Sequence, residues 1–264
     1  MGFQSQEDNN RSKLYEFNQV QFQRLKKLFI VGDIHGDEGA VNSLLNIFKP
    51  EEDGIIFLGD YADRGPNGVE VIDIVNSLID SHPQSIIALK GNHEDYSNDG
   101  VPFFLPCDLT REAERKRGGW LKYFSHELRP FLKKLYIAAI LPGEYLFLHG
   151  GISSKIRDTE SLRKPTELVE TDILWSDPYE GDGEYANCRG AGVIFGEDIT
   201  KEVCKRLGVN KIIRGHEPNK CILVPFYEHS DRVVTVSSTR FYGGKPFTLV
   251  INPTRPTEIT YNFL

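Results

Sequence analysis

Acidic, imidazole and amide side chains recur beside glycine at Asp33, His35, Asp60, Asn92, His149 and His216. Five of the six follow a short apolar run: Leu28-Phe29-Ile30-Val31, Ile55-Ile56-Phe57-Leu58, Ile86-Ile87-Ala88-Leu89, Tyr145-Leu146-Phe147-Leu148 and Lys211-Ile212-Ile213. Two carboxylates, three imidazoles and one amide oxygen make a hard-to-borderline donor set, suited to Mn²⁺, Fe or Zn²⁺ rather than to thiolate-loving ions. Six ligands are too many for one tetrahedral ion but suit two ions about 3.5–4 Å apart, provided one carboxylate bridges them. Asp60 is the candidate bridge. Glycine beside almost every ligand lets the backbone turn sharply and keeps side-chain bulk away. Taken singly, each residue has an ordinary explanation: Asp33 a helix cap, Asp60 a turn, His149 a core histidine. The ordered set is what is specific.

The elements that must position these residues follow one pattern: an apolar run, a glycine with a polar cluster, then usually a helical spacing, which is α/β grammar. Ala40, Val41, Leu44, Leu45 and Phe48 are spaced for one helix, and Val69, Ile72, Val75 and Leu78 for another. Residues 95–108 read as loop, and 111–134 as mainly helical with Gly118-Gly119 and Pro130 interrupting. Four consecutive strands are expected at Ile222-Leu223-Val224, 233–236, 247–250 and 259–261, and a surface loop at 177–189. Ligands gather at the carboxyl ends of strands in open α/β sheets, so the five apolar runs can bring their termini together.

The 264 residues suit one domain, expected over 27–264 after a flexible N-terminal arm at 1–26. A hydrophobic fraction of 39% with 16 Phe and 11 Tyr gives ample core material. The net charge of −7 offers no global field for nucleic acid or an anionic membrane. Residues 1–26 are polar and lack the apolar run of a secretory signal, and no apolar stretch approaches the ~18 residues of a membrane span, so a soluble protein is expected. Cys107, Cys188, Cys204 and Cys221 form no C-x-x-C pair and are too sparse for a disulfide scaffold, so reduced thiols and a cytoplasmic location are expected.

Gly32-Asp33-Ile34-His35-Gly36, Gly59-Asp60-Tyr61-Ala62-Asp63-Arg64-Gly65, Gly91-Asn92-His93-Glu94, His149-Gly150-Gly151 and Arg214-Gly215-His216 together resemble the signature of PPP-type serine/threonine phosphatases within the calcineurin-like metallophosphoesterases. The resemblance runs from Leu28 to about Tyr242. It implies two mixed β-sheets packed as a sandwich with helices outside, and metals at one edge. It implies Asp33, His35 and Asp60 on one metal, and Asp60, Asn92, His149 and His216 on the other, with Mn²⁺ first among the ions and Fe or Zn²⁺ as the others. A metal-bridging water or hydroxide would attack phosphorus directly, and His93, oriented by Asp63, would protonate the leaving oxygen. Arg64 suits a phosphate clamp because its planar fork donates bidentate bonds. Leu174-Trp175-Ser176-Asp177-Pro178 and Arg189-Gly190 with Phe195-Gly196 resemble further family segments; they nominate Arg189 as a second clamp and Asp177 as a loop residue near substrate. Tyr242 resembles the tyrosine of the family's active-site lip.

Two departures bear on substrate: Asp95-Tyr96-Ser97 leads into a loop unlike that of the eukaryotic enzymes, and Gly243 stands where they carry cysteine. Gly118-Gly119-Trp120 looks instead like the bacterial and phage branch, so an archaeal or bacterial enzyme reconciles both. The expected activity is hydrolysis of phosphomonoesters, with phosphoserine and phosphothreonine in proteins as substrate. A diadenosine tetraphosphate hydrolase shares the metal motifs, but Glu94 and the Asp63-Arg64 pair argue against it. A catalytically inactive binding module is disfavoured because every expected ligand, with His93 and Asp63, is present. The chain lacks G-x-x-x-x-G-K-[ST], G-x-G-x-x-G and H-E-x-x-H. His82, His126 and His229 are read as ordinary histidines, and the sequence does not say whether a regulatory subunit exists.

Overall fold

The computed structural model describes residues 11–264. The chain opens with β1 (Leu14–Glu16), α1 (Gln19–Arg24), β2 (Lys27–Val31), α2 (Glu38–Ile47), β3 (Asp53–Phe57), α3 (Gly68–Ser81) and β4 (Ile86–Ala88). Next come α4 (Leu109–Arg117), α5 (Trp120–Tyr123), α6 (Arg129–Leu132), β5 (Ala138–Leu141), β6 (Tyr145–Leu148), α7 (Glu160–Arg163) and α8 (Glu167–Trp175). The last part holds β7 (Asp177–Pro178), β8 (Glu184–Ala186), β9 (Val193–Phe195), α9 (Glu197–Leu207), β10 (Lys211–Arg214), β11 (Phe226–Glu228), β12 (Val233–Thr235), β13 (Phe247–Asn252) and β14 (Arg255–Phe263).

Two mixed sheets face each other, as the resemblance implied. One has the order β1-β5-β6-β10-β12-β11, the other β14-β13-β2-β3-β4. Period-two alternation divides each central strand between two cores. Leu28, Ile30, Ile56, Leu58, Ile87 and Leu89 point inward and meet Tyr145, Phe147, Ile213 and Val234 of the opposite sheet. Phe29, Val31, Ile55 and Phe57 point outward under α2 and α3, packing on Val41, Leu44, Val69 and Ile72. On the other side Leu146, Leu148 and Ile212 pack against Val169 and Ile173 of α8 and Val203 of α9. Strands buried on both faces explain the unbroken apolar runs.

β2, β3 and β4 run parallel in one sheet, and β6 and β10 run parallel in the other. Their carboxyl ends open on the same edge, where a bridge between Asp33 and Ser237 joins the sheets. Ser238 reinforces that seam: its Oγ accepts from Gly32 N–H at 3.0 Å and donates to the Phe247 carbonyl at 2.6 Å.

Four expectations are corrected. Within the described residues the 1–26 stretch is no arm: β1 pairs in parallel with β5, and Leu14, Phe17 and Phe22 are buried. Residues 1–10 lie outside the described part. The 177–189 segment is not a simple loop, because β7 and β8 flank β9 in a small third sheet and Asp177 is buried. Ile222, Leu223 and Val224 are exposed and irregular; the strand beside β12 is Phe226–Glu228, past Pro225, which has no N–H for a ladder. Pro130 does not interrupt its helix, because a π turn at Phe124–Leu128 runs directly into α6 and places the proline at the head of that element. Gly118, at φ 77°, does end α4.

Candidate metal centre and active site

Each proposed ligand sits just past a strand end: Asp33 after β2, Asp60 after β3, Asn92 after β4, His149 after β6 and His216 after β10. All are buried, as is His35. His35, Asp60, Asp63, Arg64 and His216 have φ between 48° and 70°, a left-handed region that non-glycine residues enter at a cost. Five such residues in one site mark a backbone held by its surroundings rather than by local preference. At Gly91 and Gly215 the approach is so close that a Cβ would lie 2.3 Å from Asp60 Oδ1 and 2.2 Å from Asp33 Oδ1, respectively. Asp33 is not a helix cap; Asp37 caps α2, accepting from Ala40 N–H at 3.1 Å.

The hydrogen bonds fix how the imidazoles point. His35 Nδ1 lies 3.0 Å from the Ala62 carbonyl and His149 Nδ1 2.9 Å from the Leu58 carbonyl. Both Nδ1 atoms must therefore carry the proton, which leaves Nε2 as a lone pair. His35 Nε2 then faces Asp60 Oδ2 at 3.5 Å and Asp33 Oδ2 at 3.9 Å. His149 Nε2 faces Asp60 Oδ1 at 3.3 Å and Asn92 Oδ1 at 3.0 Å. His216 Nδ1 is 2.8 Å from Asn92 Oδ1, and its Nε2 is buried without a hydrogen-bond partner. Acceptor atoms of both halves thus converge with Asp60 common to the two, an arrangement that two cations would satisfy. Ligating atoms lie within 4.8 Å of one another in two trios, His35-Asp60-His93 and Asp60-His149-His216. His93 enters the first by proximity, but its Nδ1 is engaged elsewhere.

Electrostatics agree. Burial pushes Asp33 up to about 7 and Asp60 well above the usual carboxylate range, the neighbouring Asp33 adding to the latter. Burial also drives His35, His149 and His216 well below the usual imidazole value. Neutral imidazoles and carboxyls reluctant to ionise together form a cluster that bound cations would stabilise.

Beside this cluster His93 Nδ1 meets Asp63 Oδ2 at 2.6 Å. Burial lowers the His93 pKa, and the bond to Asp63 opposes that effect. Arg64 is held by Tyr242 Oη at 3.2 Å through Nε and by the Pro106 carbonyl at 3.1 Å through Nη1, which leaves Nη2 3.5 Å from His93 Nε2. Tyr242 also packs 5.3 Å from the His35 ring. Arg189 turns toward Asp177, Nε to Oδ2 at 2.6 Å. A cavity of about 910 Å³ opens beside Arg189 and Trp175, walled by Phe103, Leu174, Asp95 and Glu170. All twelve candidate residues therefore lie in one connected region.

Glu94 and Arg214 stand inside the sequence motifs, but what they hold is visible only in three dimensions. Glu94 accepts from the backbone N–H groups of Asp60, Tyr61 and Gly91 at 2.8, 3.1 and 2.9 Å, so one carboxylate ties two ligand loops together. Burial pushes its pKa up to about 7. Arg214 is fully buried and bonds the Gly150 carbonyl, Glu217 Oε2 at 2.6 Å and Asp177 Oδ1 at 3.0 Å. Asn187, which also escaped notice, donates to Asp177 Oδ2 at 2.9 Å.

A fold of two apposed sheets with a dinuclear-type ligand cluster at the carboxyl ends of their parallel strands defines the metal-dependent phosphoesterases. The chain belongs to the calcineurin-like phosphoesterase family, whose pattern it matches over residues 26–220. Among curated proteins it is 34% identical over 227 residues to a serine/threonine-protein phosphatase of Caenorhabditis elegans, covering 81% of this chain and 47% of that protein. The chain spans about half the length of several curated relatives it matches. Among solved structures, a protein serine/threonine phosphatase from Saccharomyces cerevisiae with similarity to human phosphatase PP5 superposes with a TM-score of 0.77 at 22% identity, over 97% of this chain and 85% of that one. A putative diadenosine tetraphosphatase superposes with a TM-score of 0.57 at 16% identity, over 96% and 98%. Both structural likenesses concern the fold.

Proposed function

We propose that this protein hydrolyses phosphomonoesters, with phosphoserine and phosphothreonine in proteins as its substrates. The observation that carries the reading is the His93–Asp63 pair, 2.6 Å apart, set between Arg64 and a ligand cluster shared through Asp60. Asp33, His35 and Asp60 would hold one cation; Asp60, Asn92, His149 and His216 the other. Mn²⁺ is the ion we assign first, with Fe or Zn²⁺ compatible with the same donors. When bound, the cations would supply an acidified water as nucleophile and neutralise charge on the phosphoryl group.

The remaining work falls to side chains of this chain. Arg64, braced by Tyr242 and Pro106, presents Nη2 beside His93 Nε2, where a phosphate oxygen would bind both. A phosphate dianion there would raise the His93 pKa against the effect of burial and favour its acid form. As the water oxygen bonds to phosphorus and the ester P–O bond breaks, His93 would pass its Nε2 proton to the departing serine or threonine oxygen. Asp63 holds the imidazole in the required tautomer. Arg189, aligned by Asp177, is the second clamp. The free cysteines among the described residues support a reducing compartment, the cytoplasm. No described helix is long and apolar enough to cross a membrane.

The test is phosphate release from a phosphothreonine peptide and from diadenosine tetraphosphate, with Mn²⁺, for wild type and Asp63→Asn. Peptide turnover that falls 10²–10⁴-fold in the variant at equal metal content is expected, the usual contribution of a positioned acid. Preference for the dinucleotide would overturn the substrate assignment, and silence on both would leave a binding module.

A further inference from the structure

The stretch from Asp95 to Gly118 holds none of the ligands, yet four of its groups close on His93, Asp63 and Arg64 from one side. Phe104, only 3% exposed, lays its ring 4.5 Å from the His93 imidazole, tilted by 47°. Pro106 accepts from Arg64 Nη1 at 3.1 Å, and Asp108 Oδ2 accepts from the Arg64 backbone N–H at 3.2 Å. The Leu109 N–H, on the first residue of α4, donates to Asp63 Oδ1 at 2.8 Å. Asp63 therefore has one oxygen fixed to the end of a helix and the other on His93.

The helix end is itself pinned. Glu112, 3% exposed, accepts from Gly68 N–H at 3.1 Å and Val69 N–H at 3.0 Å at the start of α3, and Lys116 Nζ lies 2.9 Å from its Oε1. Asp63 and Arg64 both sit at φ 68°, where their own backbone preference does not hold them. An outside brace must do so. We infer that Phe104, the Leu109 amide and Glu112 form a clamp that positions the acid pair, so that α4 sets the aim of His93. The inference rests on the phosphatase reading proposed above.

A positioning role makes a prediction that a purely structural role does not. A serine or threonine alkoxide is a poor leaving group and needs the proton from His93, whereas p-nitrophenolate departs without one. A loosened clamp should therefore damage peptide turnover more than turnover of p-nitrophenyl phosphate. The experiment compares kcat on a phosphothreonine peptide and on p-nitrophenyl phosphate for Mn²⁺-loaded wild type, Phe104→Leu, Glu112→Ala and Glu112→Gln. Phe104→Leu fills most of the same space without the ring, so it guards against simple unfolding. We expect Phe104→Leu and Glu112→Ala to lose on the order of tenfold more on the peptide than on the aryl ester, part of the 10²–10⁴ that general acids contribute. Glu112→Gln, which keeps one acceptor oxygen, should recover part of that ratio. Equal losses on both substrates, or no loss on either, would overturn the clamp. Wild type inactive on both would instead defeat the phosphatase reading, so the two failures are separable.

Discussion

Glu94 shows how much a single residue outside the ligand set can determine. Its carboxylate takes three backbone N–H groups, from Asp60, Tyr61 and Gly91, and so fixes the loops that carry Asp60 and Asn92. Glu94→Gln turns one acceptor oxygen into a donor facing those N–H groups, leaving at least one buried N–H without a partner. Groups that orient ligands in this way typically cost 10–100-fold in metal affinity when changed. Calorimetric titration of Mn²⁺ into wild type and Glu94→Gln should show a loss in that range; unchanged affinity would mean the loops are held by their packing alone. The residue was visible in the sequence as the last letter of Gly91-Asn92-His93-Glu94, but its role was not, because two of the three amides it serves lie 33 and 34 positions away. Arg214 and Asn187 escaped for the same reason: their work is to hold Asp177, which tertiary structure alone brings near. Phe104 had no signal at all, since one aromatic in a loop looks like any other.

At the scale of elements, the central strands were legible because burial on both faces demands unbroken apolar runs, and each ligand stands where its run stops. Short elements without such a run were not legible. β7, β8 and β1 are too short to show a period, and β1 forms only because β5 offers it a parallel edge. The N-terminal segment nonetheless buries Leu14, Phe17 and Phe22, and Phe17 stacks 6.0 Å from Phe22 in an edge-on pair. Phe22→Ala should therefore cost about 3–5 kcal/mol, the usual figure for a buried phenylalanine. Urea unfolding of the metal-free protein would register that as a lower midpoint with an unchanged slope. A cost below about 0.5 kcal/mol, the range of ordinary surface changes, would return this segment to the status of an arm.

For the molecule as a whole, the ligand cluster couples metal, protons and stability. Asp33 and Glu94 are raised to about 7, and Asp60 is raised well above the usual value. In the unfolded chain such carboxyls ionise near 4. From there up to about pH 7 the folded metal-free state binds more protons at these acids, so their contribution falls as pH rises. His35, His149 and His216 are lowered, and the unfolded chain protonates them below about 6.5, so their contribution falls as pH drops through that value. The two slopes oppose each other between about 4 and 6.5; above that, only the acid slope remains. The metal-free protein should thus lose stability from pH 6.5 to 8. Ionised carboxylates and neutral imidazoles are also the metal-binding forms, so Mn²⁺ affinity rises over the same range. At a hundredfold excess over Kd the ion adds about 2.7 kcal/mol, and that increment grows with pH as Kd falls. Melting curves at pH 6.0, 7.0 and 8.0, with chelator and with a fixed Mn²⁺ concentration, should show a Tm gap that widens with pH. A gap that stays constant would mean that these buried acids do not control the metal site.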